Sequence, residues 1–239
     1  MSIPVTNAPE NDSISVFFPC YNEQDNIRRV YESASRVLGM MGMEYELIIV
    51  DDGSTDQTLE IAKAIPSTDP RVKIVHHAKN RGYGAALQSG FRAATKTWVF
   101  YTDGDGQFDL GELPALIPLM KQYDIVSCFR LNRQDGIVRA FNAWCWNRLV
   151  CFLFRLKFKD INCAFKLYKR RIFDRMELRS NGALINTEIL ALAIRHGFAV
   201  TQVGVSHLQR LNGRQTGGNP HVIFRAFREL ISLYTHCKS

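Results

Sequence analysis

The chain has 239 residues, of which 46% are hydrophobic and 22% charged, the balance of a globular protein large enough for a substantial core. Lys and Arg outnumber Asp and Glu by 30 to 23, and the resulting charge of +7 favours anionic partners: nucleotides, phosphorylated substrates or an acidic membrane surface. The basic residues stand beside large apolar runs rather than along a polar face, so no nucleic acid is expected, and no run reaches the ~18 to 20 apolar residues of a membrane span.

Residues 1–13 are polar, contain proline and carry no apolar signal core, and read as a flexible N-terminus. A mostly apolar run at 14–18 reads as a strand ending at Pro19. From 24 to 38, Ile27, Val30, Tyr31, Ala34, Val37 and Leu38 share one helical face, and Gly39 and Gly42 break the pattern. A second strand at 47–50 delivers Asp-Asp-Gly-Ser-Thr-Asp at 51–56. A short helix through Leu59, Ile61, Ala62 and Ile65 stops at Pro66. A third strand follows at 72–75, and the turn at 79–84 opens a helix over 85–94. The aromatic run Trp-Val-Phe-Tyr at 98–101 reads as a buried strand; a helix at 113–122 and a strand at 125–128 follow it. Strands alternating with helices at this spacing predict a mostly parallel sheet with helices on both faces, in a single domain spanning 14–239.

Beyond Phe129 the character changes. Residues 138–158 interleave Trp144, Trp146, Phe152, Phe154 and Phe158 with Arg139, Arg148, Arg155 and Lys157. A helix of this kind suits a membrane interface, its apolar side sinking while its cations meet lipid phosphates; a core helix or a dimer interface is the alternative. A helix at 186–196, a strand at 200–208 and a last helix at 220–234, with Pro220 at its start, complete the reading. The six cysteines show neither a C-x-x-C nor a zinc spacing; four stand in apolar surroundings and read as buried thiols, and a reducing compartment is expected.

The chemistry concentrates at strand ends. Asp103 and Asp105 emerge where the 98–101 strand stops, and Gly104 and Gly106 ease the turn there. With the amide oxygen of Gln107 they form a set of hard oxygen donors that suits Mg²⁺ or Mn²⁺ shared with a substrate's phosphates. Asp51 and Asp52, at the end of the second strand, suit the edge of a base and the hydroxyls of a ribose. Pro19, Tyr21, Asn22 and Glu23 follow the first strand and line the same crevice. Neither a G-x-G-x-x-G after that strand nor a P-loop is present, which argues against a dinucleotide dehydrogenase and a P-loop NTPase. His76, His77, His196, His221 and His236 show no ligand spacing and read as surface or core residues.

Pro-x-Tyr-Asn-Glu at 19–23, Asp-Asp-Gly-Ser-Thr-Asp at 51–56 and Asp-x-Asp-x-Gln at 103–107, in that order, resemble an inverting family 2 glycosyltransferase of GT-A fold. Arg130, Arg133, Asp160-x-Asn-Cys-Ala-Phe-Lys166, Asn186-Thr-Glu188 and His207-x-x-Arg210-x-x-Gly213 resemble the dolichyl-phosphate mannosyltransferase branch. The chain departs from it at Cys163-Ala-Phe165, where the family often shows Ser-Gly-Phe, and lacks the C-terminal spans that some members carry. The resemblance implies a Rossmann-like sheet with a helical, membrane-facing C-terminal elaboration. It implies a nucleotide-sugar half at 14–129 and an acceptor half at 130–239. Pro19, Tyr21, Glu23, Asp51, Asp52, Asn80, Gly82 and Asp103 would bind the nucleotide sugar, GDP-mannose or a UDP-hexose. Asp103, Asp105 and Gln107 would hold the metal ion.

A polyprenyl phosphate acceptor is already largely dianionic, its second pKa being ~6, and needs orientation rather than a base. Arg130, Arg133 and Arg139 are candidates for that phosphate because guanidinium groups grip its oxygens bidentately, and His207 and Arg210 could reach either phosphate. Catalysis would fall to Asp105, Arg130, Arg133 and Asp160. A soluble acceptor is the competing reading and would need a base, with Asp160, Glu188 or His207 as candidates. A non-catalytic nucleotide-sugar-binding protein at the membrane is a third. The expected location is the cytoplasmic face of a membrane, held peripherally through 138–158, with a membrane-anchoring partner or a homodimer compatible with that placement.

Overall fold

The structure is a computed structural model that describes residues 12–132, 137–210, 229, 230, 233 and 234, and only the backbone of 137–139. Arg133, residues 1–11 and most of the helix expected at 220–234 lie outside the described residues.

Seven strands form one sheet: β1 (Ser13–Cys20), β2 (Glu44–Asp51), β3 (Val72–His76), β4 (Trp98–Thr102), β5 (Ile125–Arg130), β6 (Phe165–Lys169) and β7 (Val200–Val205). Their spatial order is β3-β2-β1-β4-β6-β5-β7. All pairings are parallel except the two that β6 makes, with β4 and with β5. Five named α-helices lie among the described residues: α1 (Ile27–Met41), α2 (Thr58–Ala64), α3 (Tyr83–Ala93), α4 (Ile137–Leu153) and α5 (Ile185–Arg195).

Side-chain alternation along the strands builds two apolar layers. Val16, Phe18, Leu47, Ile49 and Phe100 face the layer that also holds the buried side of α1. Phe17, Ile48, Val50, Val99 and Tyr101 face the other, beneath α3 and α5. Both faces being covered, the strands read as continuous apolar runs, as expected of parallel strands. The α1 helix buries Ile27, Val30, Ala34, Val37 and Leu38, and runs through Gly39 to end at Gly42 in the left-handed conformation.

Two elements differ from the sequence-based expectation. The segment expected as a helix at 113–122 is a 3₁₀ helix over Leu110–Lys121, because Pro114 and Pro118 remove the donors an α-helix would use there. The antiparallel β6 has no counterpart among the strands expected from the sequence. Lys166 between Phe165 and Leu167 reads as the exposed side of an amphipathic strand, yet it is fully buried. Because β1 lies between β2 and β4, connections leave it in both directions, and a crevice opens at the carboxyl ends of these three strands.

Candidate active site at the sheet switch point

The end of β1 is tied to the loop after β2 by reciprocal bonds. The Asn22, Glu23 and Gln24 amides donate to Ser54 Oγ (2.9 Å), Thr58 Oγ1 (2.8 Å) and Asp56 Oδ2 (3.3 Å), and Thr55 N donates back to Asn22 Oδ1 (2.8 Å). Asn22 takes a positive φ of 57°, a conformation Asn tolerates better than most residues. Two of the three motifs, distant in sequence, are thus one structure. Tyr21 is partly exposed at its rim, while Pro19 is buried within β1.

Asp51 and Asp52 are both buried. His76 Nδ1 lies 2.8 Å from Asp51 Oδ2, and Asp51 Oδ1 has no hydrogen-bond partner among the described residues. Asp52 is fully engaged: Oδ1 contacts His77 Nδ1 (2.6 Å) and accepts from Arg81 N (2.9 Å), and Oδ2 accepts from Gly82 N (2.8 Å). Buried His77 also reaches Ser89 Oγ at 2.9 Å, which fixes the ring to α3. Asp52 therefore shapes the loop that carries Asn80 and Gly82. Gly53, at φ +70°, lets that loop approach: a Cβ there would lie 2.4 Å from the Lys79 carbonyl carbon. His76 and His77 act as supports for the two aspartates, a role their lack of metal spacing did not reveal.

The α3 N-terminus is closed by the chain itself. Gly84 N and Ala85 N both donate to Asn181 O (3.0 and 3.3 Å), which satisfies donors a helix start otherwise offers to an anion. The loop carrying Asn181 is held by Glu188, fully buried on α5, whose oxygens accept from Arg179 N (2.9 Å) and Ser180 N (2.8 Å).

At the end of β4, Tyr83 Oη donates to Asp103 Oδ1 at 3.0 Å. Burial, reinforced by the charge of Asp105, pushes the Asp103 carboxyl up to about 7. Asp105 Oδ1 accepts from Gln107 N (3.1 Å), and Arg210 donates from Nη1 to Asp105 Oδ2 (3.3 Å) and from Nη2 to Glu23 Oε1 (2.6 Å). The Gln107 side-chain nitrogen donates to Leu208 O (3.2 Å). Burial, then the charges of Glu23, Asp51, Asp103 and Asp105, hold the Cys20 thiol well above its usual range, so it stays protonated beside them. A buried carboxyl raised further by a neighbouring carboxylate's charge fits a divalent cation. Asp103, Asp105 and Gln107 carry oxygens of the kind that Mg²⁺ or Mn²⁺ prefers. Among the described residues no group of three His, Cys, Asp or Glu side chains closes a metal site on its own.

Across the crevice, Arg130 at the end of β5 makes a two-pronged ion pair with Asp160, Nε to Oδ2 at 2.6 Å and Nη2 to Oδ1 at 2.9 Å. His207 is buried edge-on against Phe108, to which its backbone is bridged. The side chain of Arg139 lies outside the described residues, as does Arg133. The remaining expected site residues therefore meet at one end of the sheet. Sequence reasoning did not give the supporting roles of buried His77, Glu188 and Lys166 or of partly buried Tyr83, whose patterns resemble ordinary core.

Residues 15–179 match the family model described as glycosyl transferase family 2. The chain is 28% identical over 233 residues to dodecaprenyl-phosphate galacturonate synthase of Rhizobium johnstonii, covering 95% of this chain and 68% of that protein. It is 28% identical over 225 residues to undecaprenyl-phosphate 4-deoxy-4-formamido-L-arabinose transferase of Yersinia pestis, covering 93% and 66%. It thus spans about two thirds of the length of these relatives. Among solved structures, glucosyl-3-phosphoglycerate synthase from Mycobacterium tuberculosis, in complex with Mn²⁺, UDP and glucosyl-3-phosphoglycerate, superposes with a TM-score of 0.72. That likeness, at 21% identity over 95% of this chain and 80% of the other, is one of fold. With three motifs folded into one crevice at the sheet's switch point and the family model matching most of the sheet, the chain belongs to glycosyl transferase family 2.

Proposed function

We propose that the protein transfers a sugar from a nucleotide diphosphate sugar to a polyprenyl phosphate, with inversion at the anomeric carbon. The observation that carries this reading is the state of the groups a soluble alcohol acceptor would need as a base. Asp160 is locked to Arg130, both Glu188 oxygens accept backbone amides in a fully buried position, and His207 is packed against Phe108. A phosphate monoester, its second pKa being ~6, is already largely dianionic at neutral pH and needs no base. One of its oxygens attacks the anomeric carbon as the bond to the nucleoside diphosphate breaks, and the pair of electrons leaves with the diphosphate. The named activities of the two relatives, both with a polyprenyl phosphate in their names, support the same acceptor class.

In this reading residues 14–129 serve the donor and 130–239 the acceptor. Pro19, Tyr21, Glu23, Asp51, Asp52, Asn80 and Gly82 line the nucleoside side, and Mg²⁺ or Mn²⁺ on Asp103, Asp105 and Gln107 would stabilise charge growing on the leaving diphosphate. Asp160 fixes the plane of the Arg130 guanidinium, which meets the acceptor phosphate together with Arg133 and Arg139, whereas Arg210 is paired with Glu23 and Asp105 and His207 is packed against Phe108. The test is a panel of GDP- and UDP-sugars with Mn²⁺ and either a short polyprenyl phosphate or soluble sugar acceptors. Diphosphate release that depends on the polyprenyl phosphate is expected; release with soluble acceptors alone would overturn the reading.

Arg130→Ala is expected to raise the acceptor KM by roughly one to two decades, the equivalent of ~1.5 to 3 kcal/mol for a charge-assisted contact, while donor affinity stays unchanged. Calorimetry showing an equal loss of donor binding would reassign Arg130 to the diphosphate.

The surface of α4 supports a peripheral position at the membrane. Trp146, Phe154 and Phe158, expected from the sequence to face lipid, instead pack against the core, where Val150 is buried. The outward stripe is Phe141 (60% exposed), Trp144 (55%), Leu149 and Phe152 (81%), at helical spacing. Phe141 stacks on Trp144 with centroids 6.1 Å apart, and Arg148 lies over the Trp144 ring. Such a stripe, edged by Arg148, Arg155 and Lys157, matches an anionic lipid surface in both polarity and charge. Among the described residues no helix is long and apolar enough to cross a membrane. The five described cysteines are free, as a reducing compartment keeps them, which supports the cytoplasmic face. Each cation near the lipid contributes about 1 kcal/mol, so flotation with anionic vesicles is expected at low salt and loss of it at high salt. Trp144→Ser with Phe152→Ser should abolish flotation, and wild-type protein that stays soluble at low salt would make α4 an interface between protein copies.

A further inference from the structure

Lys166 takes no part in the chemistry above, yet its environment is the most unusual in the molecule. Its side chain is fully buried in β6, where it lies opposite Tyr101 of β4. The ammonium group donates to Cys163 O, to Ile161 O (2.9 Å), to Asn186 Oδ1 (3.3 Å) and to Tyr101 Oη (3.5 Å). Every one of these acceptors is neutral, and no described carboxylate pairs with it. A buried cation ordinarily loses its proton or finds a counter-ion, and an apolar side chain of the same length would fill this space without that cost. Burial indeed lowers the Lys166 pKa. The arrangement is explained by what the ammonium holds together.

On one side it gathers the carbonyls of the turn that begins at Asp160, and Asp160 in turn grips Arg130 through two bonds. On the other it shares Asn186 Oδ1 with Tyr101 Oη, which lies 2.5 Å from that oxygen, and Tyr101 stands two residues before Asp103. Three N–H donors divided among four acceptors from three separate segments make a junction that an apolar residue could not reproduce. We propose that Lys166 is a positioning residue: it locks the turn at 160–163 to the end of β4 and so sets the Arg130–Asp160 pair at a fixed distance from Asp103. This rests on the acceptor reading of Arg130 for its catalytic meaning, but its geometric content stands apart from it.

The test follows the Arg130 Nε–H signal by NMR on arginine-labelled full-length protein, assigned by its loss in Arg130→Lys. In the wild type the ion pair with Asp160 should keep this proton slowly exchanging. In Lys166→Met, which retains the apolar stem, the signal should shift and its exchange accelerate about tenfold or more; a folded variant with the signal unchanged overturns the proposal, even if its melting temperature falls. Should Lys166→Met fail to fold, Asn186→Ala keeps the ammonium and removes one of its acceptors. The same signal should then move in the same direction, and no movement again overturns the proposal. Kinetics add a second readout: Lys166→Met should raise the acceptor KM about tenfold with the donor KM within about twofold, and Asp160→Asn combined with it should add little. Multiplying effects in the double variant would mean that the two residues act independently. If the protein proves to use no polyprenyl phosphate, the functional reading fails while the NMR result still decides the position of Arg130.

Discussion

Asp105→Ala is expected to lower turnover by about 10²- to 10³-fold or more at saturating Mn²⁺ while the protein melts within a few degrees of the wild type. The loss follows from removing one of two formal charges from the proposed cation site at the end of β4. The small effect on stability follows from what Asp105 does in the fold. Its bonds are to the Gln107 amide and to one nitrogen of Arg210, and Arg210 keeps its shorter contact with Glu23. Removing it also relieves Asp103, whose carboxyl the Asp105 charge helps to raise. The sign is that of a raised carboxyl: Asp103 is easiest to accommodate below its unfolded pKa and becomes a liability as pH climbs through about 7. Asp105→Ala should therefore be relatively more stable above pH 7 than below pH 4. Turnover that survives the substitution with a metal ion still required would put that ion elsewhere.

Glu188→Ala is expected to have the opposite profile, a large loss of stability from a residue that touches no substrate. The fully buried carboxylate satisfies the amides of Arg179, part-buried, and Ser180, buried. Orphaning the buried donor costs about 1–3 kcal/mol and the part-buried one less, so at roughly 2–4 °C per kcal/mol the melting temperature should fall by about 3–12 °C. The consequence reaches the crevice, because the same loop presents Asn181 O to the first amides of α3 and packs on Gly84, where a Cβ would lie 2.4 Å from Ser180 O. Donor affinity should weaken along with stability, and Glu188→Gln, which keeps one acceptor oxygen, should recover part of both. A thermal melt of Glu188→Ala that overlays the wild type would show that the loop is held by other contacts.

Much of the molecule was legible before any coordinates. The runs at 14–18, 47–50, 72–75 and 98–101 are strands of the sheet; the three interior ones, buried on both faces, carry their signal in every residue, and the edge strand at 72–75 is only partly buried. The carboxylates at their ends were legible for the same reason: a strand end with Asp and Gly is a turn at the edge of a sheet. The antiparallel β6 was hidden by its lysines, and the irregular Leu110–Lys121 helix by apolar spacing that outweighed its two prolines. The aromatic helix was legible but expected over 138–158, whereas it ends at Leu153, and which of its rings face outward was not legible, since it is apolar on nearly every side and its periodicity names no buried face.

The sequence by itself determined the alternation of strands and helices, the three strand-end motifs and the chemical types they bring, since each depends on neighbours a few residues away. The tertiary structure decided which of those groups are available. Asp52 shapes a loop, Glu188 seals one, Asp160 is joined to Arg130, and Lys166 is inside the protein rather than on it. The reason is that hydrogen bonding and burial depend on partners 8 to 187 positions apart in the chain, as Glu188 is from Ser180 and Arg210 from Glu23, and no local pattern records the other end of such a bond.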